Sequence, residues 1–364
     1  MNPYREKLHE LMPPQPSGPG GLKVMEVCGT HTMAIAANGL RDLLPEGLEL
    51  VSGPGCPVCV SDSSYIDQCI LLARLSSRPI VATYGDMVRV PGSAGSLAQA
   101  RSAGADVRVV MGAGAALDLA RQNPHRQVVF LGVGFETTAP ATALAVRQAR
   151  KEGLVNFSVL GAHKTIMPAM RALLADPDNR IDAYLCPGHV SVIIGSDAYI
   201  PLVEQFGRPC VVAGFEPDNI LAALVEILRQ VRLHQPRAAS VYSPVRPEGN
   251  PAAQAVLREV FQTADAIWRG IGTIPASGLV LAGGYEAFDA AARFELPVLT
   301  SVEPPGCRCG DVIRGRCHPA QCGLFGRVCR PAEPVGPCMI SSEGACAAAY
   351  KYERRKRTPT HVAC

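Results

Sequence analysis

The residues in this chain best able to do chemistry are its cysteines, and they are unevenly placed. Of 14, eight fall in the last 58 residues: Cys307, Cys309, Cys317, Cys322, Cys329, Cys338, Cys346 and Cys364. Three more occupy two Gly/Pro-rich turns near the start, Cys28 in Cys-Gly-Thr-His-Thr, and Cys56 and Cys59 in Gly-Pro-Gly-Cys-Pro-Val-Cys. Thiolates gathered in this way hold a metal or exchange electrons and disulfides. Both chemistries are expected here.

The two early turns offer different things. Cys28 follows a strand-like run and precedes a helical one, where free N–H groups and the helix dipole lower a thiol pKa. His31 could take its proton or supply a second ligand; the inert alternative is a buried cysteine beside a Thr30 or Thr32 cap. Cys56 and Cys59, three positions apart at a helix start, can close a disulfide or share a metal. Asp86 and Arg89 in one turn, and Glu136 in another, read equally well as caps and ion pairs. His163 and His189 also follow strands. A single histidine is more often a hydrogen-bonded structural residue than a ligand, and His189 is the better candidate because Cys186-Pro-Gly-His shares its turn.

Seven cysteines between 307 and 346 lie in a segment too rich in Gly and Pro for an ordinary core. A bound group is the natural agent to fold it. The Cys-x2-Cys pairs of a zinc ribbon and the tight ferredoxin run are both missing there. Thiolates spread over loops suit one cubane cluster, and zinc stays open as the other thiolate-loving metal.

The elements that must position these groups follow an α/β rhythm. Strands are expected at 23–27, 49–52, 79–83, 107–111, 127–131, 156–160, 181–185 and 209–213, with helices at 33–44, 62–74, 141–151 and 217–231. That alternation predicts βαβ units and parallel sheets. Gly-Phe-Glu recurs at 134–136 and 214–216, which points to two α/β halves divided near 122–126. A further helix is expected over 252–268. In such sheets, ligands sit beyond the C-terminal strand ends, where these reactive turns fall.

Bulk properties narrow the class. With 364 residues, 48% apolar, and a net charge of only +3, the chain has the size for several domains and no charge pattern fitting nucleic acid. The basic run at 351–357 reads as a solvated tail. No secretory h-region opens the chain and no apolar run of about 18 residues occurs, so neither export nor a membrane span is expected. A reducing cytoplasm is the implied setting, in which many cysteines argue for metal or redox work.

Taken together, these segments resemble the HypD family of [NiFe]-hydrogenase maturation scaffolds. The likeness runs in order through Cys28-Gly-Thr-His-Thr32, Gly53-Pro-Gly-Cys-Pro-Val-Cys59, Thr83-Tyr-Gly-Asp-Met87, Arg89-Val-Pro-Gly92 and Gly134-Phe-Glu-Thr-Thr-Ala-Pro140. It continues through Cys186-Pro-Gly-His-Val190, Pro305-Gly-Cys-Arg-Cys-Gly310 and Ser341-Ser-Glu-Gly-Ala-Cys-Ala347. Met111-Gly-Ala-Gly114 departs from the Tyr-Ser-Pro-like turn expected at that place.

The resemblance implies three domains, two small parallel-sheet α/β domains at 20–124 and 125–235 and an irregular C-terminal iron–sulfur domain at 236–364. The family spacing Cys-x14-Cys-x6-Cys-x16-Cys implies a [4Fe-4S] cluster on Cys307, Cys322, Cys329 and Cys346, whose separations are 15, 7 and 17. It also implies that Cys28, with His31 nearby, holds an iron that acquires two cyanides and one carbon monoxide. HypC shares that iron and HypE donates the cyanide. Cys56 and Cys59 become a dithiol fed by the cluster, His189 and Glu343 supporting residues, and Cys309 with Cys338 a second dithiol. A [4Fe-4S]-dependent protein disulfide reductase uses the same residues and remains the alternative, so scaffold and enzyme are not separated at this stage.

Overall fold

The structure is a computed structural model that describes residues 3–13 and 21–353. Eleven strands lie among them: β1 (Leu22–Glu26), β2 (Leu48–Ser52), β3 (Ile80–Thr83), β4 (Val107–Val109), β5 (Val128–Gly134), β6 (Phe157–His163), β7 (Ala183–Pro187), β8 (Cys210–Ala213), β9 (Ala238–Ser240), β10 (Phe261–Trp268) and β11 (Gly272–Leu281). They form a five-stranded sheet in the order β2-β1-β7-β8-β9, a four-stranded sheet in the order β4-β3-β5-β6, and the hairpin β10-β11. Every neighbouring pair in the two larger sheets is parallel. The fold is therefore α/β, as the alternating pattern predicts.

The strands read as they must for this role. β5 is Val-Val-Phe-Leu-Gly-Val-Gly with all seven residues buried, the continuous apolar run of a parallel strand covered on both faces. Met25, Val27, Val81, Val129, Leu131, Tyr184 and Cys210 belong to one core, so the two sheets pack into a shared interior. The helix Ala139–Glu152 behind β5 ends at Gly153 with φ +66°, a left-handed stop that glycine adopts without Cβ strain.

Three expectations need correction. The sheets are interleaved in sequence, because the chain leaves the first sheet after β2, builds the second with β3 to β6, and returns to the first at β7. The division at 124/125 thus falls inside the second sheet. The boundary at 235/236 falls just before β9, which extends the first sheet by pairing with β8. Lastly, the helix expected over 252–268 is a helix only over Pro251–Val260. The remainder, Phe-Gln-Thr-Ala-Asp-Ala-Ile-Trp, pairs with β11 as a strand.

That hairpin is a joint. Thr165 N–H donates to Ser277 O at 2.9 Å, and Lys164 bridges to Gly278, which fastens the hairpin beyond β6. Trp268 is wholly buried, stacks on Phe135 at 5.8 Å and donates from Nε1 to Ser277 Oγ at 2.8 Å. One residue on, Arg269 N–H donates to Val60 O at 2.9 Å, tying the hairpin to the turn that carries Cys56 and Cys59. Among the described residues no helix is long and apolar enough to cross a membrane.

Candidate functional site

The turns after β1 and β2 meet backbone to backbone. Gly29 N–H donates to Gly55 O at 3.0 Å, and a Cβ on Gly55 would stand 2.1 Å from Cys28 N. Cys28 is the N-cap of the helix Gly29–Ala37, four residues ahead of the expected helix start, and makes no side-chain cap bond, so its sulfur is left for other work. Cys56 and Cys59 close a disulfide across the short helix Pro57–Val60, with Cα atoms 5.2 Å apart. The C-terminal loop covers both turns. Ser341 Oγ lies 3.3 Å from Cys56 Sγ, and Thr30 Oγ1 donates to Glu343 Oε1 at 2.9 Å.

Burial dominates the electrostatics of this joint. It pushes the Cys28 thiol up to about 12, against the opposing backbone N–H of His31. The low thiol pKa expected at a helix N-terminus is thus reversed: Cys28 is 8% exposed, and desolvation outweighs the dipole. The same effect carries the Glu26 carboxyl up to about 7. Glu26 accepts from Cys28 N–H at 3.1 Å and, on its other oxygen, from the Thr32 hydroxyl, fixing the Cys28 turn from beneath. His31 is wholly buried and donates from Nε2 to Gly214 O at 2.9 Å, while Nδ1 has no hydrogen-bond partner. His189 joins it through Phe215, whose ring lies 5.0 Å from His31 and 4.0 Å from His189.

The C-terminal cysteines surround a small cavity lined by Cys307, Cys309, Cys322, Cys329, Cys338 and Cys346, with Leu324, Phe325 and Met339 as apolar walls. Burial, followed by the charges of Cys309, Cys329, Cys307 and Cys322, holds the Cys346 thiol far above its usual range. Ionising so many neighbouring thiols is unfavourable until a cation is present. Among the described residues no group of three or more His, Cys, Asp or Glu side chains is placed to hold a single metal ion. The donor set, six thiols with apolar walls, fits the chemistry of a thiolate-held iron–sulfur cluster. Cys309 and Cys338 line the same cavity as Cys307. Cys338 sits in the turn Pro337–Met339, which packs on the helix Pro57–Val60.

The profile of the HypD family, described as "Hydrogenase formation hypA family", matches residues 4–353. The chain is 47% identical to Hydrogenase maturation factor HypD of Escherichia coli over 92% of its own length and 90% of that protein's. It is 46% identical to Hydrogenase maturation factor HypD of Rhodobacter capsulatus, over 90% and 89%. A putative hydrogenase expression/formation protein of Methanocaldococcus jannaschii is 42% identical over 92% of each chain. The chain belongs to the HypD family.

Within this HypD chain, Cys28, Cys56, Cys59 and Glu343 come together at one joint, and His31 and His189 form its histidine side through Phe215. Cys307, Cys322, Cys329 and Cys346 line the cavity with Cys309 and Cys338. Cys317 lies apart, in a groove with Lys23, Arg41 and His318. Cys364, and the basic tail from 354 onward, fall outside the described residues. Met111 is 94% exposed and Gly112 leads into the helix Ala113–Gln122, so the departing loop lies on the surface.

Several working residues escape the sequence reading. Glu26 has a weak signal, a carboxylate inside an otherwise apolar strand. Asp86 is singled out by the sequence, but with the wrong partner: the ion pair with Arg89 is replaced by contacts to the C-terminal loop, where Ser342 N–H and Oγ each donate to Asp86 Oδ2 at 2.8 Å. Phe215 and Ser341 matter only once the chain is folded.

Glu136, from the Gly-Phe-Glu turn after β5, is a structural acid. Its Oε1 accepts from Ile166 N–H at 3.0 Å, its Oε2 has no partner, and burial raises the carboxyl to about 7. A carboxyl raised on folding contributes stability in acid that is lost as pH climbs from 4.5 through 7. In urea melts, Glu136→Gln should therefore gain about 3 kcal/mol on the wild type between about pH 4 and about pH 8. A pH-independent difference between the two proteins contradicts this placement.

Proposed function

We propose that this HypD protein acts in [NiFe]-hydrogenase maturation as the scaffold on which an Fe(CN)2CO group is assembled. Cys28 holds the substrate iron together with HypC, and HypE delivers cyanide. The observation that carries this reading is the joint itself: Cys28 stands in backbone contact with the Cys56–Cys59 turn, under the loop that leads into Cys346. Soft thiolates suit low-valent iron with strong-field ligands. Glu26 and the helix N-terminus hold the Cys28 backbone still, and Glu343 and Thr30 close the rim above it.

Cys307, Cys322, Cys329 and Cys346 hold the [4Fe-4S] cluster in this reading, which supplies electrons one at a time. In this reading Cys309 and Cys338, in the cavity wall, link the cluster to the Cys56–Cys59 disulfide, and the packing of the Cys338 turn on the helix Pro57–Val60 supports that link. Two electrons and two protons open Cys56–Cys59 to a dithiol.

Anaerobic co-purification with HypC, followed by infrared spectroscopy and iron analysis, tests the proposal. About five irons per chain, four in the cluster and one bearing cyanide and carbon monoxide stretches, is the expected result. A brown complex lacking those stretches returns the reading to a reductase. A colourless protein removes the cluster altogether.

A further inference from the structure

Arg269 is the side chain that the site as described leaves unused. It is the residue after Trp268 on the hairpin joint and only 2% exposed, a rare placement for a guanidinium, which stays charged when buried. Its Nε donates to Ser61 O at 3.0 Å, immediately after the Cys56–Cys59 helix. Its Nη1 donates to Glu303 Oε2 at 3.1 Å, and Nη2 is buried with no partner. The Glu303 side chain is 46% exposed, so water screens the carboxylate bonded to it. Next door, Gly270 lies against Gly310, where a Cβ would stand 2.1 Å from the Gly310 Cα. This contact holds the arginine beside the Cys307–Cys309 segment.

Through the Gly270–Gly310 contact the Arg269 segment abuts the helix Cys309–Ile313, which opens on a cysteine of the cavity wall. A buried cation bonded to the end of one sulfur turn, and held beside the Cys307–Cys309 segment at the other, is badly placed for stability alone. One of its donors is unsatisfied, and its desolvation is only partly repaid by Glu303. It is well placed to stabilise negative charge added between the two.

We propose that Arg269 is a positioning residue for electron transfer, its buried guanidinium making the group held by the cysteine cavity easier to reduce. The inference rests on the cluster assignment made above. A cluster bound there would take one electron from a low-potential donor with no proton moving, and Arg269 would stabilise the added negative charge. In a protein interior a unit charge within about 10 Å shifts a one-electron equilibrium by about tenfold.

The test is a redox titration of anaerobically purified full-length protein with dithionite and mediators, read by the electron-spin signal of the reduced cluster. Arg269→Gln, with wild-type iron and sulfide content, should be about tenfold harder to reduce, a shift of about 59 mV to lower potential. Arg269→Lys should stay near the wild type, because it keeps the charge while losing the planar fork that a merely structural clamp needs. An unshifted Arg269→Gln protein with its cluster intact overturns the inference. If that variant fails to fold or to keep its cluster, Glu303→Gln decides: it unmasks the guanidinium, and reduction should become about twofold to threefold easier, whereas no change overturns the inference. A wild-type chain that takes up no cluster sinks the functional reading, and this inference with it.

Discussion

Replacing Cys28 with Ala is expected to abolish the cyanide and carbon monoxide infrared bands of the complex with HypC while leaving the fold and the cluster's absorption in place. The effect on the bands should be total, because no other sulfur stands in the Cys28 turn to hold the iron in its stead. The effect on the fold should be small. Cys28 caps its helix without a side-chain bond, and its backbone N–H still finds Glu26 in the variant. Burial keeps the unliganded thiol protonated, so the anionic form arises only with a cation beside it. Cys28→Ser separates ligation from packing: it keeps nearly the same volume but offers a harder donor, and should lose the bands too. Bands of wild-type intensity in either variant would remove the iron from Cys28.

The α/β class and the strands near the reactive turns were legible because parallel strands covered on both faces leave an uninterrupted apolar run. β5 is the clearest case, with seven buried residues in succession. The order in which strands join sheets was not legible. β7 pairs with β1 across 159 residues of chain, as the bond from Lys23 N–H to Asp182 Oδ2 at 2.8 Å shows, and nothing in either segment names the other. The Gly-Phe-Glu repeat misled for a physical reason. Both copies are strand-to-helix turns with the same local needs, but Glu136 accepts a buried backbone bond while Glu216 merely precedes the helix Pro217–Leu233.

The site shows the same contrast. Cysteine reports its chemistry by type, so the members of the joint and cavity could be named from spacing and resemblance alone. The contacts that hold them were hidden because they join distant parts of the chain. Asp86 and Ser342 are 256 positions apart, and Ser341 reaches Cys56 over 285. The thiol pKa of Cys28 failed for a different reason. A helix N-terminus lowers it only where water is also present, and this turn is sealed by the C-terminal loop.

Gly55→Ala provides the sharpest check on that sealed joint. A Cβ there would stand 2.1 Å from Cys28 N and 2.4 Å from its Cα. Both are backbone atoms, so no rotamer change can relieve the clash and one turn must move. The need is for close approach and not for an unusual backbone angle, since Gly55 is not among the residues with positive φ. Parting the turns strains the bond from Gly29 N–H to Gly55 O at 3.0 Å and carries Cys28 away from the Cys56–Cys59 disulfide. Overpacking of this kind costs about 1–3 kcal/mol in a urea melt. Iron retention in the HypC complex should fall further than stability does, because a displacement of about 1 Å can cost about a hundredfold in a preorganised site. Gly114→Ala makes the same chemical change in the helix Ala113–Gln122, where an added Cβ meets nothing within 4 Å. It should be neutral or stabilising by up to about 1 kcal/mol. If Gly55→Ala matches Gly114→Ala in both melting and iron retention, the two turns do not touch as described, and the scaffold reading loses its geometric basis.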